Sequence, residues 1–245
     1  MSQTRPTVLC PLTLTGLLHH LLTNQSYTCP TLLIICSSRD VFLQDLATSL
    51  QQHHSEQDPD SMERLIAPTL HNLLTTRHIQ LVFCTSVQAL LAYLTAYGRP
   101  GAPGVVGDTL GKEKIVLVNP LTLHASTPSF SAQGLSRCFA TVAETALRVG
   151  VQLHIVECAG KRKLDEKSDD EDMDMEIGQE GTQAEADDED PWEQEVSIMN
   201  VSARRFGSGP GERAWARRTV KAKSIAARWF HFRTLGDAQT HQGHG

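Results

Sequence analysis

Several residue types in this chain could do chemistry, and their spacing decides which chemistry is available. Six cysteines are scattered along the chain with no CxxC pair, which excludes a zinc ribbon and indicates reduced thiols in an intracellular protein. The histidine pairs His19–His20 and His53–His54 lack second ligand pairs at metal-site spacing. No G-x-S-x-G motif occurs, so serine-hydrolase chemistry has no support. We therefore expect no metal ion and no cofactor.

Phosphate chemistry would need a glycine-rich loop that follows a strand, opens a helix and carries a lysine. Leu9–Gly16 (LCPLTLTG) has that position but contains one glycine, and the first lysine of the chain is Lys112. Gly107–Lys112 (GDTLGK) precedes a strand instead of following one, so it does not match a phosphate-binding loop. ATP hydrolysis through a phosphate-binding loop is therefore not expected.

Polar residues stand where predicted strands end, which is where ligands of α/β proteins bind. These residues are Ser37, Arg39, Thr85, Asn119 and Glu157. The favoured interpretation is that they cap helices and line loops.

The segment from Trp192 to Leu235 combines nine of the 22 basic residues with six of the 13 aromatic residues. Basic side chains follow phosphates and aromatic rings stack on bases, a combination suited to single-stranded nucleic acid. The candidate contacts are Arg217, Arg218, Lys221 and Lys223, with Trp215 and Trp229 as stacking platforms. The alternative, which we favour slightly, is a terminal sheet whose aromatic rings pack on the core and whose charges face water.

The elements that would position these residues alternate between strands and helices. Continuous apolar runs predict strands buried on both faces of a parallel sheet. They are Thr31–Cys36, His78–Cys84, Lys114–Val118 and Val151–Glu157. Helical stripes lie between them: one begins at Leu14, one opens with the capping box Thr85-x-x-Gln88 and ends at Gly98, and one runs from Leu135 to Gly150.

The end of the chain predicts a different layout. Val196–Val201, Arg217–Lys223 and Ala226–Arg233 are expected to be three short strands without a helix between them. The predicted fold class is thus α/β, with a mostly parallel sheet flanked by helices and an antiparallel C-terminal extension.

Charge divides the chain further. Residues 161–190 hold 14 acidic and 4 basic residues, a net of −10, with few large apolar side chains. We expect an α/β core at 1–160, a disordered acidic insertion at 161–191, strands completing the same domain at 192–235 and a flexible tail at 236–245. Lys161–Lys163 (KRK) is a weak candidate for a nuclear-import patch.

This order of elements resembles the RecA-like recombinase paralogues of eukaryotic DNA repair. Thr31–Cys36 and the following Ser37–Phe42 (SSRDVF) are similar to that family's second core strand and its phenylalanine. Lys114–Leu121 (KIVLVNPL) resembles the Walker B strand, with Asn119 where the magnesium-linked aspartate usually stands. The resemblance covers about residues 7–158 and, more loosely, 192–236.

The resemblance implies a RecA-like subunit that lacks the Walker A motif, similar to subunits of the Shu complex. Its degenerate nucleotide site would comprise Thr15, Gly16 and Asn119. The expected function is a non-catalytic nuclear subunit of a homologous-recombination assembly. It would bind recombinase-like or paralogous subunits as a hetero-oligomer, with single-stranded DNA as a candidate ligand. The apolar start, Thr7–Leu14, is the candidate interface.

Two alternatives stay open. One is a RecA-like scaffold of an Elongator-type tRNA-modification complex, and the other is an α/β enzyme of unrecognised type. Cytoplasm is the alternative location. No apolar run reaches the roughly 20 residues that a membrane helix needs, so no membrane partner is expected.

Overall fold

The computed structural model describes residues 5–25, 29–56, 67–98, 113–158, 190–198 and 218–234. The predicted acidic insertion lies outside this set except for Asp190 and Pro191, and the predicted tail lies wholly outside it. Two of the predicted nucleic-acid contacts, Trp215 and Arg217, also fall outside the described residues.

Eight strands are present in the described ranges. They are β1 (Thr7–Leu12), β2 (Thr31–Ile35), β3 (Ile79–Phe83), β4 (Lys114–Val118), β5 (Gln152–Cys158), β6 (Glu195–Ser197), β7 (Thr219–Lys221) and β8 (His231–Thr234). The four strands predicted from apolar runs in the first 160 residues are confirmed, with ends shifted by at most one residue.

Seven α-helices lie between these strands in the described ranges. They are α1 (Leu14–Asn24), α2 (Arg39–Glu56), α3 (Leu70–Thr76), α4 (Val87–Ala96), α5 (Pro120–Ala125), α6 (Ala132–Val149) and α7 (Ala222–Ala226). A single 3-10 turn, Pro191–Glu193, precedes β6.

Six strands form one sheet in the order β3-β2-β4-β5-β1-β8, and every neighbouring pair is parallel. Strands β6 and β7 form a separate antiparallel pair. The predicted α/β class is confirmed, with a mostly parallel sheet and an antiparallel C-terminal pair.

Both faces of the sheet are covered by helices, as the apolar strand runs require. One face packs under α1 and α2 through Leu14, Leu17, Leu21 and Phe42. The other face packs under α4, α6 and α7 through residues such as Leu90, Leu135 and Ile225. All five residues of β2 are buried, which explains why its sequence is uninterrupted TLLII.

Local signals fix where the helices begin and end. Ser86 caps the start of α4, and its hydroxyl accepts the Ala89 N–H at 3.1 Å. The cap is one residue after Thr85, which we predicted for this role. Gly150 ends α6 in the left-handed conformation with φ of 76°, as predicted. Gly98 has φ of 75° after α4, and a Cβ there would lie 2.5 Å from Cγ2 of Val149.

Three C-terminal strands, β6, β7 and β8, are present, but the prediction that no helix lies between them was wrong. The strand β7 ends at Lys221, and α7 follows it at once. Ala222, Ile225 and Ala226 stand at helical spacing and are all buried, so packing on the core favours a helical turn there. The last strand, β8, lies parallel to β1 at the end of the main sheet.

An aromatic cluster attaches the C-terminal elements to α6. Trp192 is only 1% exposed, and its ring centroid lies 5.3 Å from that of Phe232 in an edge-to-face arrangement. The ring of Phe139 on α6 lies 6.1 Å from Trp192 and 5.6 Å from Phe230. This cluster joins residues distant in sequence into one core.

Replacing Trp192 by Ala should therefore lower the free energy of unfolding by about 3–5 kcal/mol, because the buried ring leaves a cavity. Trp192→Phe should cost less, since a ring stays in contact with Phe139 and Phe232. Urea denaturation followed by circular dichroism measures both. An alanine variant as stable as the parent would show that this cluster does not hold the C-terminal segment.

Candidate functional site

The carboxyl ends of β1, β4 and β5 meet at one edge of the sheet. From β1 the chain enters α1 on one face, whereas beyond β5 the next described residues reach Trp192 on the opposite face. Neighbouring strands whose continuations leave to opposite faces form the crevice in which α/β proteins bind ligands. Two predicted degenerate-site residues, Thr15 and Gly16, lie at this crevice beside the end of β1, and Asn119 follows β4.

The loop between β1 and α1 is closed by its own side chain. The Thr13 hydroxyl accepts the Gly16 N–H at 3.1 Å, and the Thr13 carbonyl accepts the Leu17 N–H at 2.9 Å. The buried Thr15 hydroxyl bonds to the Thr13 hydroxyl at 3.1 Å. The Gly16 and Leu17 amides in the first turn of α1 thus already have acceptors within the chain.

Asn119 ties the end of β4 to the end of β5. Its backbone N–H donates to the Val156 carbonyl, and its side-chain Oδ1 accepts the Cys158 N–H, both at 2.8 Å. Its φ of 57° and ψ of 45° place it in the left-handed region, which Asn tolerates better than most residues. Asn119 therefore has a structural role between the strands that the Walker B resemblance did not indicate.

Glu157 closes the start of α5. Its side chain is buried, and its carboxylate accepts the N–H groups of Leu121 at 2.9 Å and Thr122 at 2.8 Å. The Thr122 hydroxyl donates a third bond at 2.5 Å. A carboxylate at a helix start meets unpaired N–H groups, so this contact is favourable. This geometry agrees with the capping role that we favoured for this residue.

The thiols near this edge are held in their protonated form. Burial raises the pKa of Cys158 and of Cys138 to about 12, and that of Cys36 well above its ordinary value. A thiol is a nucleophile only as thiolate, so none of these three is activated at neutral pH. Cys36, Cys84 and Cys138 are buried, as expected for small core residues.

Two of the predicted nucleic-acid contacts in the basic and aromatic segment form ion pairs within the chain. The ammonium groups of Lys221 and Lys223 contact the two carboxylate oxygens of Glu193 at 2.7 and 2.9 Å. Hydrogen bonds from these lysines lower the pKa of Glu193 to about 2. Sequence reasoning overlooked Glu193 as their partner, although its charge was the available signal.

The strand predicted at Arg217–Lys223, which carries four of the candidate contacts, is shorter than predicted, because β7 ends at Lys221. Lys223 lies in α7 instead of β7, and its ammonium lies 5.7 Å from the centre of the Phe232 ring. Arg218 is exposed just before β7. Trp229 is partly buried, with its ring 6.5 Å from Phe139 on α6 and 5.9 Å from the Arg228 guanidinium. A nucleic-acid role for Arg218, Lys221, Lys223 and Trp229 stays a prediction.

Metal-binding groups and membrane-spanning helices are both absent from the described ranges. No group of three or more His, Cys, Asp or Glu side chains there could hold a metal ion. No helix within those ranges has the length and apolar character needed to cross a bilayer.

Comparison with known proteins shows a distant structural likeness and no sequence match. No protein-family model and no curated protein matches this sequence. One solved structure, an ATPase domain, resembles this protein with a TM-score of 0.36 and 10% sequence identity. The match covers 65% of this chain and 59% of that chain, so this protein spans less than two thirds of it. A likeness of this size bears on neither activity nor partners.

Replacing Glu157 by Gln should lower the free energy of unfolding by about 1–3 kcal/mol, because a neutral amide cannot reproduce the charge-assisted bonds to the start of α5. Glu144→Gln, an exposed position on α6, removes the same charge and should leave stability almost unchanged. Urea titration of both variants decides the matter. Equal midpoints would mean that the buried carboxylate does not stabilise the edge.

Proposed function

We propose that this chain is a non-catalytic, RecA-like nuclear subunit of a homologous-recombination repair assembly. In this role the parallel sheet carries partner subunits and does not hydrolyse ATP. Two observations support the proposal: the α/β fold, and the hydrogen bonds among the polar groups at the sheet edge where a nucleotide would bind.

The observation that carries the proposal is the internal use of the polar groups at that edge. The Gly16 and Leu17 amides in the first turn of α1 bond to Thr13. Asn119 bonds to β5, and Glu157 bonds to α5. A phosphate-binding loop must instead leave its amides free for the phosphates and supply a lysine. A nucleotide at this edge would have to break existing hydrogen bonds, and the loop from Leu9 to Gly16 contains no lysine to compensate.

Exposed leucines support a role in binding other proteins. On α3, Leu70 is 80% exposed, and Leu73 and Leu74 are also exposed. Leu81 is exposed on β3, which is an edge strand of the main sheet. Exposed large apolar groups on neighbouring elements are typical of interaction surfaces.

The interface that we predicted from the sequence was wrong in its location. Thr7–Leu12 forms β1, which is hydrogen-bonded to β5 on one side and to β8 on the other. Val8 and Leu9 are buried beneath the helices on both faces. The apolar start is therefore a core element, and the apolar groups of α3 and β3 are the better candidates.

Isothermal titration calorimetry of the full chain with Mg²⁺–ATP tests the catalytic part of the proposal. We expect no binding in the micromolar range and no phosphate release. Asn119→Asp restores the Walker B acid yet should gain neither property, because the amides after β1 stay occupied. Micromolar affinity that is lost on changing Thr15 or Gly16 would overturn the proposal.

Affinity purification from nuclei with quantitative mass spectrometry tests the assembly. A triple Leu70, Leu73 and Leu74 to Ser variant should lose the partner subunits, because polar side chains would replace the apolar contact. Leu147→Ser is the matched control, since Leu147 is also exposed but lies on α6 at the other face. Recovery of recombinase-like subunits supports the proposal, whereas recovery of tRNA-modification subunits favours the Elongator-type alternative.

A further inference from the structure

A set of basic side chains lies on the α1 face of the sheet, on the strands β4, β5 and β8. Strand register places His154 beside Val116, and Arg233 beside Leu9. Val116 and Leu9 both belong to the core beneath α1 and α2, so their strand neighbours share that face. Lys114 precedes Val116 by two residues and therefore points to the same side. Three basic residues from three strands thus share one face.

The helix α1 adds His20 to this set. Burial, followed by the charges of Lys114 and Arg233, lowers the pKa of His20. Burial lowers the pKa of His154 to about 3, with Lys114, His20 and Arg233 contributing in the same direction. These mutual influences show that the four side chains lie within electrostatic reach of one another. No carboxylate of the described residues contributes to the shift of either histidine.

The set is not neutralised within the described part of the chain. Neither Lys114 nor Arg233 forms an ion pair with a described residue. The Nδ1 atom of His154 is buried without a hydrogen-bond partner among the described residues. Burial of the Lys114 ammonium without an ion-paired acid among the described residues raises the free energy of the fold, and a structural role for this arrangement would call for such an acid.

We propose that Lys114, His154, His20 and Arg233 form a phosphate-binding site on the α1 face of the sheet. The ligand is a phosphate group, supplied by a polynucleotide backbone or by free phosphate. Phosphate oxygens accept several charge-assisted hydrogen bonds at once, and guanidinium and ammonium groups are their usual donors. Arg5 and His231, which bond to each other at 2.8 Å, extend the positive surface at β8.

This site is separate from both regions considered above. Lys114 and His154 lie in the amino-terminal halves of β4 and β5, whereas Asn119 and Glu157 lie at the carboxyl ends of these strands. None of its four residues belongs to the segment's predicted contacts at Arg217, Arg218, Lys221, Lys223, Trp215 and Trp229. The proposal goes beyond the proposed function and does not depend on it.

The two histidines give the site a characteristic pH dependence. In the free protein they are neutral near pH 7, because burial and the facing groups Lys114, Arg233 and His19 hold their pKa values low. A bound phosphate favours the protonated ring and so raises both pKa values. Binding therefore takes up protons, and affinity should increase as pH falls through the pKa values that the two rings have in the bound state.

The test measures binding to the full chain of two probes, fluorescein-labelled oligothymidylate by anisotropy and inorganic phosphate by calorimetry. Arg233→Gln should weaken binding about tenfold or more, because one charge-assisted contact is lost. Arg137→Gln on α6 is the control, since it removes the same charge from an exposed position on the other face of the sheet. Its affinity should match that of the parent.

The second variant set addresses the histidine and the lysine. His154→Gln should abolish most of the gain in oligothymidylate affinity at lower pH, a change that general loss of stability would not produce. Lys114→Met retains the buried stem and removes the charge, and it should weaken both probes. Should Lys114→Met fail to fold, the exposed Arg233→Gln variant still decides the question.

The outcomes separate the sources of phosphate. Weakening of both probes in Arg233→Gln supports a site for free phosphate, and weakening of oligothymidylate alone supports a site for the polynucleotide backbone. The proposal is overturned if neither probe binds, or if Arg233→Gln and Arg137→Gln behave alike. It is also overturned if polyglutamate binds as tightly as oligothymidylate, because the surface would then be one for acidic peptides.

Discussion

Burial of the parallel sheet on both faces is the constraint on which the other features of this structure depend. Parallel strands cannot be joined by tight turns, so each connection must cross a face of the sheet and usually does so as a helix. The apolar runs of β2 and β4 meet that requirement, since nearly every residue in them is buried. Helices on both faces then leave polar groups accessible mainly at the strand ends.

At the carboxyl ends, the chain satisfies its own polar groups. The Asn119 side chain joins β4 to β5, and the Glu157 side chain accepts the N–H groups at the start of α5. Buried N–H groups need acceptors, and here side chains from neighbouring strands supply them. The groups that other α/β proteins direct toward a ligand are used here for architecture, which is why we favour a scaffold over a catalyst.

On the α1 face of the sheet, the balance is the reverse. Lys114, His154 and Arg233 come from three strands and face the same side, with no described acid to neutralise them. In contrast, Lys221 and Lys223 carry similar charge but share the carboxylate of Glu193. The contrast distinguishes a cation that stabilises its own fold from one that is available to an external anion.

The sequence alone predicted four strands and three helices of the first 160 residues and the parallel arrangement, because continuous apolar runs and helix-ending glycines are local signals. It did not predict the strand β1 or the helices α2, α3 and α5. Gly150 and the strand Lys114–Val118 were located to the residue. The C-terminal helix α7 was missed, since its five residues contain too few apolar positions to show a period before the core is known.

Only the tertiary structure decided which polar residues meet. Sequence reasoning placed Asn119 and Glu157 at strand ends but could not show that both bond to neighbouring backbone amides. It also could not place His154 and Arg233, separated by 78 positions, on the same face of the sheet and on the two strands that flank β1. Local preference follows from side-chain type and spacing, whereas such pairings depend on strand order, which is set by long-range packing across the whole sheet.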